Sequence, residues 1–306
     1  MRRILSVAAL IAACFSMAPA SAALKVFACE PEWAALTQEL GGKNVDVYAA
    51  TTALQDPHQV QARPSLIARF RSADLAVCTG AELEIGWFPL LFQNGANPRI
   101  QPGKLGLFEA YNYVTMLEVP THLDRSEGDI HPYGNPHLQT DPHNIARIAV
   151  ALTKRLAELD RDNAADYTAR GQDFQQRWTL AIAKWEAQAA PLKGVAALSQ
   201  HKSWNYLYDW LGIHETGTLE PKPGIPPSAA HLEDLIDLQK RTPAKLIVYA
   251  AYQDSKAADF LAQKTGIPAV KLPFTVGATD DSGDLFKLFD ATIARLLAGL
   301  AGKGSS

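Results

Sequence analysis

Beyond its first residues, no stretch of this chain is apolar for long enough to cross a bilayer, which excludes an integral membrane span downstream. There is no surplus of positive charge either. Lys and Arg number 29 against 32 Asp and Glu, so no nucleic-acid partner is expected. Cysteines number three, enough for a single disulfide at most. HExxH and CxxC spacings are absent, and so is a phosphate-binding loop. Any ATP-driven step must therefore belong to another chain.

What is present begins at the N-terminus. Arg2 and Arg3 precede an apolar run from Ile4 to Phe15, and Ala20-Ser21-Ala22 supplies a small-x-small cleavage signal. Residues 1–22 read as a secretory signal peptide, which sends the mature chain to the periplasm. Cleavage leaves 27 Lys and Arg against 32 Asp and Glu. Ile11-Ala12-Ala13-Cys14 resembles a lipoprotein box, and anchoring at Cys14 is the alternative to cleavage near Ala22. Cys29 and Cys78 survive at the ends of strand-like runs. An exported pair is a candidate disulfide, with two buried thiols as the alternative.

From Leu24 onward the pattern alternates strand and helix: "ALKVFAC", "PEWAALTQELGG", "VDVYAAT", "PSLIARFRSA", "DLAVCTG". Such alternation predicts an α/β fold with small, mainly parallel sheets flanked by helices. Residues 94–144 are rich in Gly and Pro and read as loops. Residues 142–190 are helical in period, with a break near Asp160 to Asn163, and read as a connector. The alternation resumes at "GVAALSQ" and ends in a helix over about 285–300. The expected architecture is an N-terminal lobe over 23–141, a helical connector over 142–190 and a C-terminal lobe over 191–306.

Three of the eight histidines crowd into "GDIHPYGNPHLQTDPHN" (128–144). In open α/β sheets ligands bind beyond the carboxyl ends of the strands. His58 follows the second strand, His137 closes the loop-rich stretch, and His201 directly follows "GVAALSQ". Asp280 and Asp281 follow "PAVKLP". If the lobes face each other these loops converge, and three imidazoles with one carboxylate suit zinc better than manganese, which favours oxygen.

Three segments carry a specific resemblance. "QDPHQVQARPSLIARFRSADLAVCTGAELEIGW", "GNPHLQTDPHNIARIAVALTKRL" and "SQHKSWNYLYDWLGI" are similar, in order, to the ligand segments of the periplasmic zinc/manganese substrate-binding proteins of metal ABC transporters. The resemblance implies two α/β lobes joined by a long rigid helix, with the metal site in the interlobe cleft. It implies His58, His137 and His201 as ligands, with an acidic fourth from the divergent last loop. Asp280 is the first choice there, with Asp281 and Asp284 behind it. His201 stands where manganese branches often carry Glu, which favours zinc. His122 and His131 stand where zinc members often carry a His-rich loop; solvated side chains are the favoured reading, with capture of zinc or an extended coordination as the alternative. Asp56 and Glu82 are candidates to orient the imidazoles.

The implied function is capture of Zn²⁺ by a monomer and its delivery to an ABC permease and its ATPase, without catalysis. The alternatives are an exported zinc hydrolase, a manganese-binding member of the same family, and a lipid-anchored adhesin.

Overall fold

The computed structural model describes residues 22–124, 126 and 128–302. Residues 1–21, Cys14 among them, lie outside the described residues, and with them all but the last residue of the segment read as a signal peptide. Among those described, no helix is long and apolar enough to cross a membrane.

Two four-stranded parallel sheets form the frame. The first holds β1 (Leu24–Ala28), β2 (Val45–Ala49), β3 (Leu75–Cys78) and β4 (Leu107–Glu109), in the order β2-β1-β3-β4. The second holds β5 (Ala196–Ser199), β6 (His214–Thr218), β7 (Leu246–Ala250) and β8 (Ala269–Leu272), in the order β6-β5-β7-β8. Each half is therefore wound in the same order, with its switch point between the first and third strands. Central strands covered on both faces need continuous apolar runs. β3 (LAVC) and β7 (LIVYA) are such runs, buried at every position.

The flanking helices are α1 (Pro31–Gly41), α2 (Pro64–Ser72) and α3 (Phe88–Gly95) in the first half. In the second half they are α6 (Asn205–Leu211), α7 (Ala229–Arg241), α8 (Lys256–Thr265) and α9 (Leu285–Leu300). Between the halves run α4 (Pro142–Leu159) and α5 (Ala164–Ala189), separated where the sequence predicts a break. The 26 residues of α5 give a rod roughly 39 Å long at 1.5 Å per residue.

This rod is clamped at both ends. Arg170 donates to the Glu39 carbonyl at the end of α1, and Tyr167 Oη donates to Asp160 at 2.8 Å. Further along, Trp178 and Trp185 pack edge-on at 5.1 Å and meet Phe289 of α9 at 5.5 and 5.0 Å. The Trp178 indole donates to the Pro142 carbonyl, tying α5 to the first turn of α4. A hub of fully buried aromatics resists repacking, so the two halves are held as one body with little freedom to hinge.

Two elements differ from the sequence reading. β4 and α3 lie in or beside the stretch read as loops. β4 is only three residues long and pairs with β3 alone, at the sheet edge. Such a short edge strand leaves no periodic signal.

Candidate metal centre

The carboxyl ends of both sheets point toward one cleft, and the residues that follow the strands line it. His58 lies in the loop after β2, His201 two residues after β5, and His137 just before α4. Their ligand-type nitrogens lie within 4.8 Å of one another.

The local chemistry explains how each ring is aimed. His58 belongs to Asp56-Pro57-His58. The Asp56 carboxylate accepts from the His58 backbone N–H at 3.0 Å and sits 2.7 Å from Nδ1. His137 belongs to Asn135-Pro136-His137, and Asn135 Oδ1 does the same, at 3.0 and 2.8 Å. Pro in the middle fixes φ and removes a competing donor, so the Asx side chain grips backbone and ring together. A carboxylate or amide oxygen at Nδ1 places the proton there and leaves the Nε2 lone pair facing the cleft. His201 reaches the same state by a longer route, with Nδ1 2.7 Å from Glu220 Oε2, just after β6. The Asn135 amide orientation is itself fixed. Its Nδ2 donates across the cleft to the Lys202 carbonyl at 2.9 Å and to Asn205 at 3.1 Å.

The same Asx-Pro-His unit occurs a third time. Asp141 grips His143 through N and Nδ1 at 2.8 and 2.9 Å. There it caps α4, and Nε2 faces Glu186 at 3.5 Å on the outside of the molecule. The motif aims a ring; the topology decides what the ring faces.

Inside the cleft the geometry suits one ion. Nitrogens about 2.05 Å from a tetrahedral zinc would put ring centroids roughly 5.2 Å apart. Observed centroid separations are 5.4 Å for His58–His137, 5.7 Å for His58–His201 and 5.2 Å for His137–His201. The Nε2 atoms of His58 and His137 are buried and have no hydrogen-bond partner. A buried nitrogen left without a partner is costly, and a cation that accepts its lone pair relieves that cost. Burial, and secondarily the neighbouring imidazoles, holds the His137 ring well below the usual imidazole range, so it is neutral and ready to donate its lone pair at neutral pH.

The sequence reading places two residues differently from the structure. Asp280 is exposed, in a turn folded on itself by Thr279 N–H to Ser282 Oγ at 2.9 Å, and it is not in the histidine group. Asp281 is held by Arg295 at 2.9 Å, and Asp284 caps α9 through Lys287 N–H. The segment after β8 presents Phe274 instead, 5.7 Å from the His137 ring. His131, read as solvated, lies 5.4 Å from His58, with its Nε2 buried and unpartnered. Burial first, and then the rings of His58 and His201, push His131 down to about 3. His122 is exposed, as expected. Of the orienting candidates, Asp56 grips His58, while the corresponding partners of His137 and His201 are Asn135 and Glu220 rather than Glu82.

Behind the site lies a supporting layer of which the sequence reading named only the candidate Cys29–Cys78 disulfide. The segment Gly80-Ala81-Glu82 takes left-handed φ at three successive residues, 75°, 52° and 66°. The buried Glu84 carboxylate holds this turn by accepting from Thr79 and Gly80 N–H at 2.8 and 3.1 Å. Cys29 and Cys78, at the ends of β1 and β3, are joined by a disulfide. Next in the chain, Gly86 lets the loop of His58 approach. A Cβ there would stand 2.7 Å from the His58 carbonyl oxygen, and Trp87 Nε1 donates to the Pro57 carbonyl at 2.9 Å. Gly86→Ala is therefore expected to push the His58 loop out and weaken metal binding about 10-fold, in the range for residues that orient a ligand. Calorimetric titration checks this, and unchanged affinity would show that the buttress is irrelevant.

A family profile described as zinc-uptake complex component A, periplasmic, matches residues 26–299. The zinc-binding lipoprotein AdcA of Streptococcus pneumoniae serotype 4 is 25% identical over 241 residues, 76% of this chain but 46% of AdcA. The chain thus spans about half the length of that relative. The manganese ABC transporter substrate-binding lipoprotein PsaA of Streptococcus anginosus is 22% identical over 277 residues, 89% of this chain and 87% of PsaA. The crystal structure of ZnuA superposes with a TM-score of 0.75 at 22% identity, covering 93% of this chain and all of that one. FpvC of Pseudomonas aeruginosa in complex with Mn²⁺ superposes with a TM-score of 0.78 at 19% identity, covering 92% of this chain and 99% of that one. At these identities the superpositions speak for the two-lobed α/β fold joined by α5.

Proposed function

The chain belongs to the family of the periplasmic zinc-uptake complex component A, and on that footing we propose that it captures one Zn²⁺ in the interlobe cleft and delivers it to an ABC permease driven by a separate ATPase. The family is one of transport components rather than enzymes, so no turnover is expected. The observation that carries the proposal is the convergence of His58, His137 and His201, with two of their Nε2 atoms buried and unpartnered.

Zinc is preferred over manganese on the chemistry of the donors. Neutral imidazole suits zinc, whereas manganese sites are richer in oxygen. The relatives are named for both metals, so this preference rests on the ligand set alone. Delivery is proposed to begin with loosening of the loops around the ion, because the clamped α5 leaves little room for lobe rotation. The ion is cargo, and the site must release it as well as bind it.

The test is metal analysis and competition. Protein purified without added metal is expected to take up one zinc per chain and to hold zinc against a large excess of manganese. Preferential retention of manganese would overturn the assignment of the metal.

The titration of the site gives a second expectation. An unfolded imidazole takes up a proton near 6.5, while those of His131 and His137 refuse it until lower pH. Below about pH 6.5 the unfolded chain then binds more protons than the fold, and stability falls with falling pH. Denaturation in chelator should show this between pH 6.5 and 4, and His137→Gln should flatten the dependence. An identical pH profile in the variant would contradict the attribution.

A further inference from the structure

We propose that His131 is the fourth metal ligand, delivered by a strap over residues 128–135 that crosses the cleft, and that the site is therefore made of four imidazoles with no carboxylate on the ion. The inference rests on the metal-binding reading above and names what completes that site.

His131 shares one or more features with each ligand already described, although its nitrogens lie outside the 4.8 Å group that His58, His137 and His201 form. Its ring lies 5.4 Å from His58, as His137 does, and 6.4 Å from His137. The first separation fits rings sharing a tetrahedral ion, and the second is about an ångström longer than that geometry, so binding requires the His131 ring to close on the ion by about that much. Its Nε2 is buried and unpartnered, as are those of His58 and His137. It also lines the same cavity of about 370 Å³ as His137 and His201.

The strap is built to place it. Gly128, at φ 88°, lies so close to the far side of the cleft that a Cβ would stand 2.3 Å from the Pro223 carbonyl oxygen. Asp129 N–H donates to that carbonyl at 3.0 Å, and Lys222 Nζ donates to the Ser126 carbonyl at 2.7 Å. At the other end Asn135 N–H donates to the Leu117 carbonyl at 2.8 Å. The docking turn on the far side is the one that orients His201. Glu220 Oε2 accepts from Gly224 N–H at 2.9 Å and sits 2.7 Å from His201 Nδ1. His201 and the strap thus share one anchor, and an ion bound to both His131 and His201 closes a ring of contacts across the cleft.

Charge supports the same ligand set. Asp56 and Glu220 stand behind His58 and His201, while the neutral Asn135 stands behind His137. Two carboxylates one bond removed balance a divalent ion held by four neutral rings. A carboxylate on the ion would leave the buried site with a net negative charge. The candidates for that carboxylate after β8 are exposed or otherwise engaged, and Phe274 takes the place beside His137.

Zinc K-edge absorption on the loaded full chain tests this directly. Four nitrogen ligands with four imidazole scattering patterns are expected in the wild type, and three in His131→Ala. Zinc affinity of His131→Ala should fall at least about 10-fold, the lower end of what even an orienting residue contributes. His131→Asp should recover part of it while shifting selectivity toward manganese by a similar factor, because it exchanges nitrogen for oxygen. Gly128→Ala, which keeps every ring but lifts the strap from Pro223, should weaken binding in the same direction and report independently of any folding defect in His131→Ala. A wild type with three imidazoles and an oxygen, matched by unchanged affinity in His131→Ala, overturns the proposal. So does loss of the fourth ligand in Asp129→Asn, since that carboxylate also lines the cavity. A wild type that takes up no zinc at all overturns the metal-binding reading itself.

Discussion

His58→Ala and His137→Ala are each expected to lower zinc affinity by more than about 100-fold. Residues that only orient a metal-bound imidazole contribute roughly 10- to 100-fold, and these two supply the donor atom itself. The fold should survive the change at position 58, because the His58 ring is gripped by Asp56 of its own loop and its Nε2 has no partner within the protein. The readouts separate. Calorimetry gives the affinity, and denaturation in chelator gives the stability of the metal-free chain. The gain in stability on adding zinc follows RT ln(1 + [Zn]/Kd), so a 100-fold loss of affinity at saturating zinc removes about 2.7 kcal/mol of that gain. Zinc binding that persists unchanged in either variant would refute the assignment of that residue.

The second large effect concerns the disulfide. Replacing Cys29 and Cys78 together by Ala should destabilise the protein by about 4 kcal/mol, the loop-entropy value for a closed segment of this size, given a sequence separation of 49. The bond joins the carboxyl ends of neighbouring strands β1 and β3, and both residues are fully buried. Those strand ends lead into Glu30 and into the left-handed turn at Gly80 to Glu82, so the loss should also loosen the wall behind His131. Urea denaturation with and without reductant measures it. A midpoint that does not move would show that the segment between the cysteines is already ordered in the unfolded chain.

Much of this was legible in the sequence because it depends on local order. Long apolar runs gave the strands, and the Pro- and Gly-bounded periodic segments gave the helices, down to the break between α4 and α5. His58 and His137 were legible because Asx-Pro-His is a local unit that grips its own ring. His201 was legible because it follows a clear strand. What the sequence did not carry was contact between distant segments. Asp280 is the right residue type in the expected loop, but the turn at 279–284 folds on itself and faces solvent. His131 sits among Gly and Pro with no periodic signal, and only the docking of its strap on Pro223 brings it to the cleft. Glu220 was invisible for the same reason: it is 19 residues from the ring it orients. The third Asx-Pro-His unit, at His143, marks the limit of motif reading, since an identical local grip serves there to cap a helix.

One measurement tests the central claim most directly. Crystals of the zinc-loaded protein, measured at the zinc absorption edge, should show a single strong anomalous peak in the interlobe cleft. It should lie within bonding distance of Nε2 of His58, His137 and His201. A peak on the outer surface, at His143 for example, or a cleft with no anomalous density beside those three rings, would contradict it.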